Sequence, residues 1–328
     1  MASPTQDLLF LTNCELGQCN VAIAVAEEFL QDDNFVVHIA SFRPLAPLIE
    51  KLNTNKSAAD TAIFHEIYGP CMEDLAVRSS VGLLTHKPGV MGATEGFQKV
   101  GQAMSCWTPA EYSKAYERCV DILKEVQPAV IVLDPLLHVG LDACRDLTSK
   151  LVVLWPVPLK DVVILNQPHA RAWWQYPMVL WKLRYDWKES VAFQAILGSS
   201  IDSGLVMIVP WIQAEIIALL ETGNIFVYVH HGGANSYFEA CKFGVPQVVL
   251  PQWLDTYDCA TRVEWLGIGA HGSRSAAPGI EATEFSTAIS KVLSSSAVSS
   301  RARAIKILCE KTEGRVFAHD RIANMALR

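Results

Sequence analysis

Positive charge is scarce in this chain, and so are long apolar runs, paired cysteines and repeats. It carries 27 lysines and arginines against 34 aspartates and glutamates, a formal net charge of −7. That balance argues against nucleic acid or an anionic membrane as the main partner. No uninterrupted apolar run reaches the roughly 18 residues that a membrane span requires, and no basic region precedes an apolar core at the N-terminus. The nine cysteines form neither C-x-x-C pairs nor a dense framework. They read as reduced, mostly buried thiols, and no metal site is expected. A cytoplasmic α/β enzyme is the expectation these absences leave. Its 328 residues, 51% hydrophobic and 19% charged, suffice for two domains of ordinary size with buried sheets.

Apolar periodicity alternates along the chain. Strands are expected at Asp7–Leu11, Phe35–Ala40, Ala62–Ile67, Ala129–Leu133 and Leu151–Trp155. Helices are expected at Asn20–Leu30, Pro44–Leu52, Glu111–Val126 and Leu136–Leu147. Such alternation implies a doubly wound parallel sheet. Residues 68–108 read as glycine-rich and irregular with short helices, and loops of that length are commonly functional.

The densest signal is IFVYVHHGGANSYFEACKFGVPQVVLPQWLDTYDCATRVEWLGIG, residues 225–269. Ile225–Val229 reads as a buried parallel strand. His230–His231–Gly232–Gly233 then makes a tight turn, because glycine allows both the backbone angles and a close approach to a ligand. A helix opens at Ala234–Asn235–Ser236 and stops at Gly244 and Pro246. Its N-terminus is a seat for phosphates, to which Asn235 and Ser236 add side-chain donors. Glu239 lies four residues after Asn235 on the same face, where a carboxylate could accept both hydroxyls of a ribose.

This segment resembles the nucleotide-sugar signature of the family 1 UDP-glycosyltransferases, fungal members in particular. The pattern H-G-G-x-N-S-x-x-E-A-x-x-x-G-V-P is met from His231 to Pro246, and P-x-x-x-D by Pro251 and Asp255. An ordinary strand–turn–helix of another Rossmann-like domain is the alternative. The resemblance implies the GT-B arrangement, two Rossmann-like domains facing each other across a cleft. It also implies a UDP-sugar donor without a cofactor and a small-molecule acceptor. Donor contacts would come from Trp211 stacking on uracil, His231, Gly232, Gly233, Asn235, Ser236, Glu239, and Asp255 on the sugar hydroxyls. Thr256 stands where the family has glutamine. A buried core tryptophan is the alternative reading of Trp211.

The first half resembles the acceptor domain of the same family, with two departures. In the family a histidine serves as general base after the first strand, but Gln18 stands in its place here. An amide cannot take a proton at neutral pH, although it can position a hydroxyl. Asp134, closing the strand AVIVL, matches the aspartate that supports that histidine. It could act directly on an acidic phenol or cap the next helix. His38 and His65 read as packed side chains. The second departure is length: the strand–helix units expected before Trp211 have no room, so an internal deletion around residues 188–205 is expected. Residues 1–190 would form the acceptor domain, and residues 203–328 a truncated donor domain.

Three functions fit. One is transfer of a sugar, glucose by resemblance, to a hydroxyl of a small apolar natural product with inversion. Another is an inactive remnant that binds UDP weakly, and the third is an epimerase or hydrolase using the same cradle.

Overall fold

The computed structural model describes residues 5–54, 57, 60–79, 85–104, 106–145, 150–155, 216–311 and 313–327. The chain divides into two compact units. Met1–Leu83, Phe97–Tyr176 and Lys311–Arg328 make the first, and Leu84–Gly96 with Pro177–Glu310 the second. The expected deletion at 188–205, and the boundary between 190 and 203, lie outside the described residues.

The first unit is built on five parallel strands: β1 (Gln6–Leu11), β2 (Phe35–Phe42), β3 (Ile63–Ile67), β4 (Val130–Leu133) and β5 (Lys150–Val153), in the order β3-β2-β1-β4-β5. β1 is the central strand, and Leu8, Leu9, Phe10 and Leu11 are all buried because helices cover both faces. Leu8 and Phe10 face one layer and Leu9 and Leu11 the other, as a period of two requires. The first layer contains α1 (Leu16–Phe29), which buries Val25, Ala26 and Phe29. The opposite layer contains α5 (Pro109–Val126), which buries Ala115, Cys119 and Ile122. α5 starts where its sequence says it should: Thr108 and Glu111 form a reciprocal capping box and Pro109 takes the first turn. The unit also contains α2 (Ala46–Asn53), α3 (Met72–Arg78) and α6 (His138–Cys144), while α4 (Val90–Met104) has residues in both units.

α4 departs most from the sequence expectation, being a 15-residue helix where short pieces were expected. Gly92, Gly96 and Gly101 lie inside it. Each lowers helix propensity by about 1 kcal/mol relative to alanine, which hid the helix from a local reading.

In the second unit, β6 (Tyr228–His230), β7 (Gln247–Val249) and β8 (Gly269–His271) form a parallel sheet in chain order. Among the described residues its helices include α7 (Ile216–Glu221), α8 (Ala234–Phe243), α9 (Leu254–Trp265), α10 (Ala282–Ser294) and α11 (Ser296–Glu310). Tyr237, Cys241, Val249, Cys259, Ala260, Val263 and Ala302 form one apolar layer. Val248, Ala270, Ala288 and Val292 form the other. α8 ends at Gly244, whose φ of 71° is the left-handed cap expected of it. α12 (Gly314–Ala326) belongs to the first unit. It lays Ile322, Ala323 and Ala326 against the α1 layer, and its Met325 carbonyl accepts from Lys150 Nζ at 2.6 Å.

Candidate functional site

In an open parallel sheet, ligands bind beyond the carboxyl ends of the strands. Asp134 sits there in the first unit, just past β4, and is 5% exposed. Its Oδ2 accepts from the backbone N–H of Asn13 at 3.2 Å and from Asn13 Nδ2 at 3.0 Å. Its Oδ1 accepts from the Leu136 N–H at 2.9 Å. The turn after β1 is thus tied to the turn after β4 through one carboxylate. Asn13 is the partner that the sequence reading missed, although a polar residue two positions past the central strand was a signal for it. Gln18 stands on the first turn of α1, its N–H donating to the Glu15 carbonyl at 2.8 Å. Its Oε1 is buried with no hydrogen-bond partner among the described residues, and Asp134 is bonded to Asn13 and Leu136 instead. A small, mainly apolar recess opens beside Asn13, lined by Phe42, Met72, Leu75, Trp107 and Leu136–Val139.

His38 and His65 lie elsewhere. His38 Nε2 meets Asp7 Oδ1 at 3.0 Å and its Nδ1 meets His65 Nε2 at 2.9 Å. Burial, and then the neighbouring His38, lower the pKa of His65. The pair belongs to the side-chain packing of β2 and β3.

In the second unit, β6 delivers His230 to the sheet edge and the chain turns through His231–Gly232–Gly233 into α8. Gln247, fully buried, gives its amide N–H to the Tyr237 carbonyl at 3.4 Å. Its oxygen therefore faces His230 Nε2 at 2.9 Å, while His230 Nδ1 accepts the Gly232 N–H at 3.0 Å. Both ring nitrogens are committed to a neutral imidazole, and burial pushes the pKa of His230 down to about 4. Of the two adjacent histidines, His230 thus builds the turn, while the ring of His231 is left at its surface.

Gly232 is required twice. Its φ is 94°, and a Cβ there would come within 2.8 Å of both the Thr256 carbonyl oxygen and Val249 Cγ1. The glycine turn therefore lies directly on the start of α9. The His231 ring rests against Trp253, with centroids 4.9 Å apart. Asn235, Ser236 and Glu239 follow on α8, all half-buried. The Ser236 hydroxyl accepts from Tyr228 OH at 3.2 Å, which leaves its own proton available for donation.

Asp255 occupies the first turn of α9, where its charge complements the helix dipole. Thr256 is fully buried, and its hydroxyl accepts the N–H groups of Gln252 and Trp253 at 2.9 and 3.0 Å. That bonding shapes the turn ahead of Asp255. A further residue, invisible in the sequence pattern, completes it. His86, 3% exposed and part of the second unit, accepts the Leu254 N–H at Nε2 at 2.9 Å, and its Nδ1 donates to the Lys87 carbonyl at 2.8 Å. Its own carbonyl accepts from Tyr257 OH at 3.0 Å. His86 thus caps the helix that carries Asp255. Trp211 lies outside the described residues.

The family profile "Erythromycin biosynthesis protein CIII-like, C-terminal domain" matches residues 202–312. The glycosyltransferase sdnJ of Sordaria araneosa is 25% identical in an alignment of 434 positions, covering 84% of this chain and 85% of the relative. Among solved structures, the kitacinnamycin glycosyltransferase superposes with a TM-score of 0.65 at 14% identity, over 99% of this chain and 100% of that one. The Streptomyces sp. SF2575 glycosyltransferase SsfS6, complexed with thymidine diphosphate, gives 0.62 at 12% identity, over 97% and 99%. The fold is that of the GT-B glycosyltransferases. The signature, the profile match over residues 202–312 and the fold agree in likening the chain to the family 1 glycosyltransferases, the fungal sdnJ among them. Among the described residues no helix is long and apolar enough to cross a membrane.

Proposed function

We propose that the chain transfers a hexose, glucose by the resemblance, from a UDP-sugar to a hydroxyl of a small, largely apolar natural product, inverting the anomeric carbon. The observation that carries this reading is the union of the two donor turns, with Gly232 pressed on Thr256 and His231 against Trp253. Glu239 would take the ribose hydroxyls. The first turn of α8, with His231, Asn235 and the Ser236 hydroxyl, would stabilise the charge that develops on the departing diphosphate. Asp255 would hold the sugar and Trp211 the base, while Thr256 acts by shaping the turn. In the first unit the recess beside Asn13 suits an apolar acceptor. Gln18 would position its hydroxyl and Asp134 receive the proton. This pair suits an acidic hydroxyl such as a phenol, because an amide cannot serve as the base.

A second reading, a non-catalytic chain that binds the nucleotide, is favoured by two observations. Gln18 replaces the family's base, and the alignment with sdnJ spans 434 positions, more than the 328 residues of this chain. Thermal unfolding with UDP, UDP-glucose and thymidine diphosphate, beside Glu239→Ala, tests the cradle. A ligand at about 100 times its dissociation constant adds about 2.7 kcal/mol. The expected result is an upward shift with UDP that Glu239→Ala abolishes. No shift with any of the three would overturn the nucleotide assignment.

A further inference from the structure

At the start of α1, one turn ahead of Gln18, three soft or anionic side chains converge. The sulfur atoms of Cys14 and Cys71 and a carboxylate oxygen of Glu15 all lie within 4.8 Å of one another. Cys71 is buried and the other two are half-buried. Glu15 Oε1 is occupied, accepting the Glu73 N–H at 3.0 Å and facing Cys14 Sγ at 3.8 Å. Glu15 Oε2 is buried and has no hydrogen-bond partner among the described residues. A buried carboxylate oxygen without a donor is costly, by contrast with nearly all buried polar atoms. All nine cysteines are unpaired, so both sulfurs are available as ligands.

We propose that Cys14, Glu15 and Cys71 form a binding site for a thiophilic divalent cation, Zn2+ in particular, that staples the β1–α1 turn to the start of α3. Two thiolates and a carboxylate are a zinc donor set, whereas Mg2+ and Ca2+ take oxygen ligands. Three protein ligands would leave the fourth tetrahedral position to be filled by water. No C-x-x-C pair announces the site, because its two sulfurs are 57 residues apart in sequence and only the packing of α3 beside the β1–α1 turn unites them. Coordination replaces two S–H bonds with two metal–thiolate bonds, so each bound ion releases two protons to solvent at neutral pH. The staple would fix the turn that presents Gln18.

The test is a Co2+ titration of the full, reduced, metal-free chain, read by the thiolate-to-cobalt charge-transfer band, with Zn2+ then added to displace the cobalt. The expected result is one Co2+ per chain with an intensity of two thiolates. Cys14→Ser or Cys71→Ser halves that intensity, Glu15→Gln weakens binding roughly tenfold or more, and Cys309→Ser leaves it unchanged. Should the cysteine variants fail to fold, mass spectrometry after alkylation of the unaltered chain decides. Zn2+ should protect the Cys14 and Cys71 peptides and leave Cys106 and Cys309 reactive. Absence of the charge-transfer band, a band indifferent to the two serine substitutions, or no selective protection would overturn the proposal.

Discussion

Acidification should loosen the glycine turn after β6 through His230, and the size of the effect follows from its surroundings. The folded ring is held neutral between the Gln247 amide oxygen and the Gly232 N–H, and takes up a proton only near pH 4. In the unfolded chain the same ring protonates near 6.5. Between these values unfolding takes up a proton, so stability falls as the pH falls. At about 1.4 kcal/mol per pKa unit, the loss is about 2 kcal/mol at pH 5 and approaches about 3 kcal/mol below pH 4. A protonated ring would also set its Nδ1–H against the Gly232 N–H, two donors face to face, so the turn opens first. His271, likewise pushed down to about 4 by burial, adds a contribution of the same sign. The informative experiment is therefore a comparison: urea unfolding of the unaltered chain and of His230→Asn at pH 7 and pH 5. The variant should be less stable at pH 7 yet lose about 2 kcal/mol less on going to pH 5. NMR of the ring should show no protonation above pH 5. Equal pH dependence in the two chains, or a ring that titrates near 6.5, would refute the reasoning.

Gly232→Ala should cost about 1–3 kcal/mol in backbone strain alone, and more from the clash with the Thr256 carbonyl and Val249. Chemical denaturation should show that loss, with UDP-induced stabilisation lost as well. His86→Ala strips the Leu254 N–H of its acceptor and should cost about 1–2 kcal/mol. In a transfer assay it should raise the KM for the donor while leaving that for the acceptor near its original value, and equal rises in both would count against a role confined to α9.

Regular strands and the glycine turn were legible in the sequence because each is written locally. Continuous apolar runs mark β1 and β4, β-branched residues mark β2 and β4, and the positive φ of Gly232 and Gly244 needs glycine whatever the fold. β6 is shorter than its apolar run suggests, Tyr228–His230 rather than Ile225–Val229. Ladder pairing with Gln247–Val249 sets its length, and pairing is not a local property. Positions that act across long separations were silent. Asn13 meets Asp134 at a sequence separation of 121, and His86 meets Leu254 at 168. Neither residue type is unusual where it stands, and only the packed structure gives it a partner. The signature drew attention to His231, while the hydrogen bonding falls to its neighbour His230. A motif marks a segment, and burial decides which of its residues build the turn and which face outward.

The most direct test of the central claim is hexose transfer itself. The full chain, UDP-glucose and a panel of phenolic and aliphatic hydroxyl acceptors would be followed by mass spectrometry for a donor-dependent hexose adduct. The account predicts an adduct on at least one phenolic acceptor, released with UDP and lost in Glu239→Ala. A chain that UDP stabilises but that glycosylates no member of the panel would contradict it, and would leave nucleotide binding without transfer as the function.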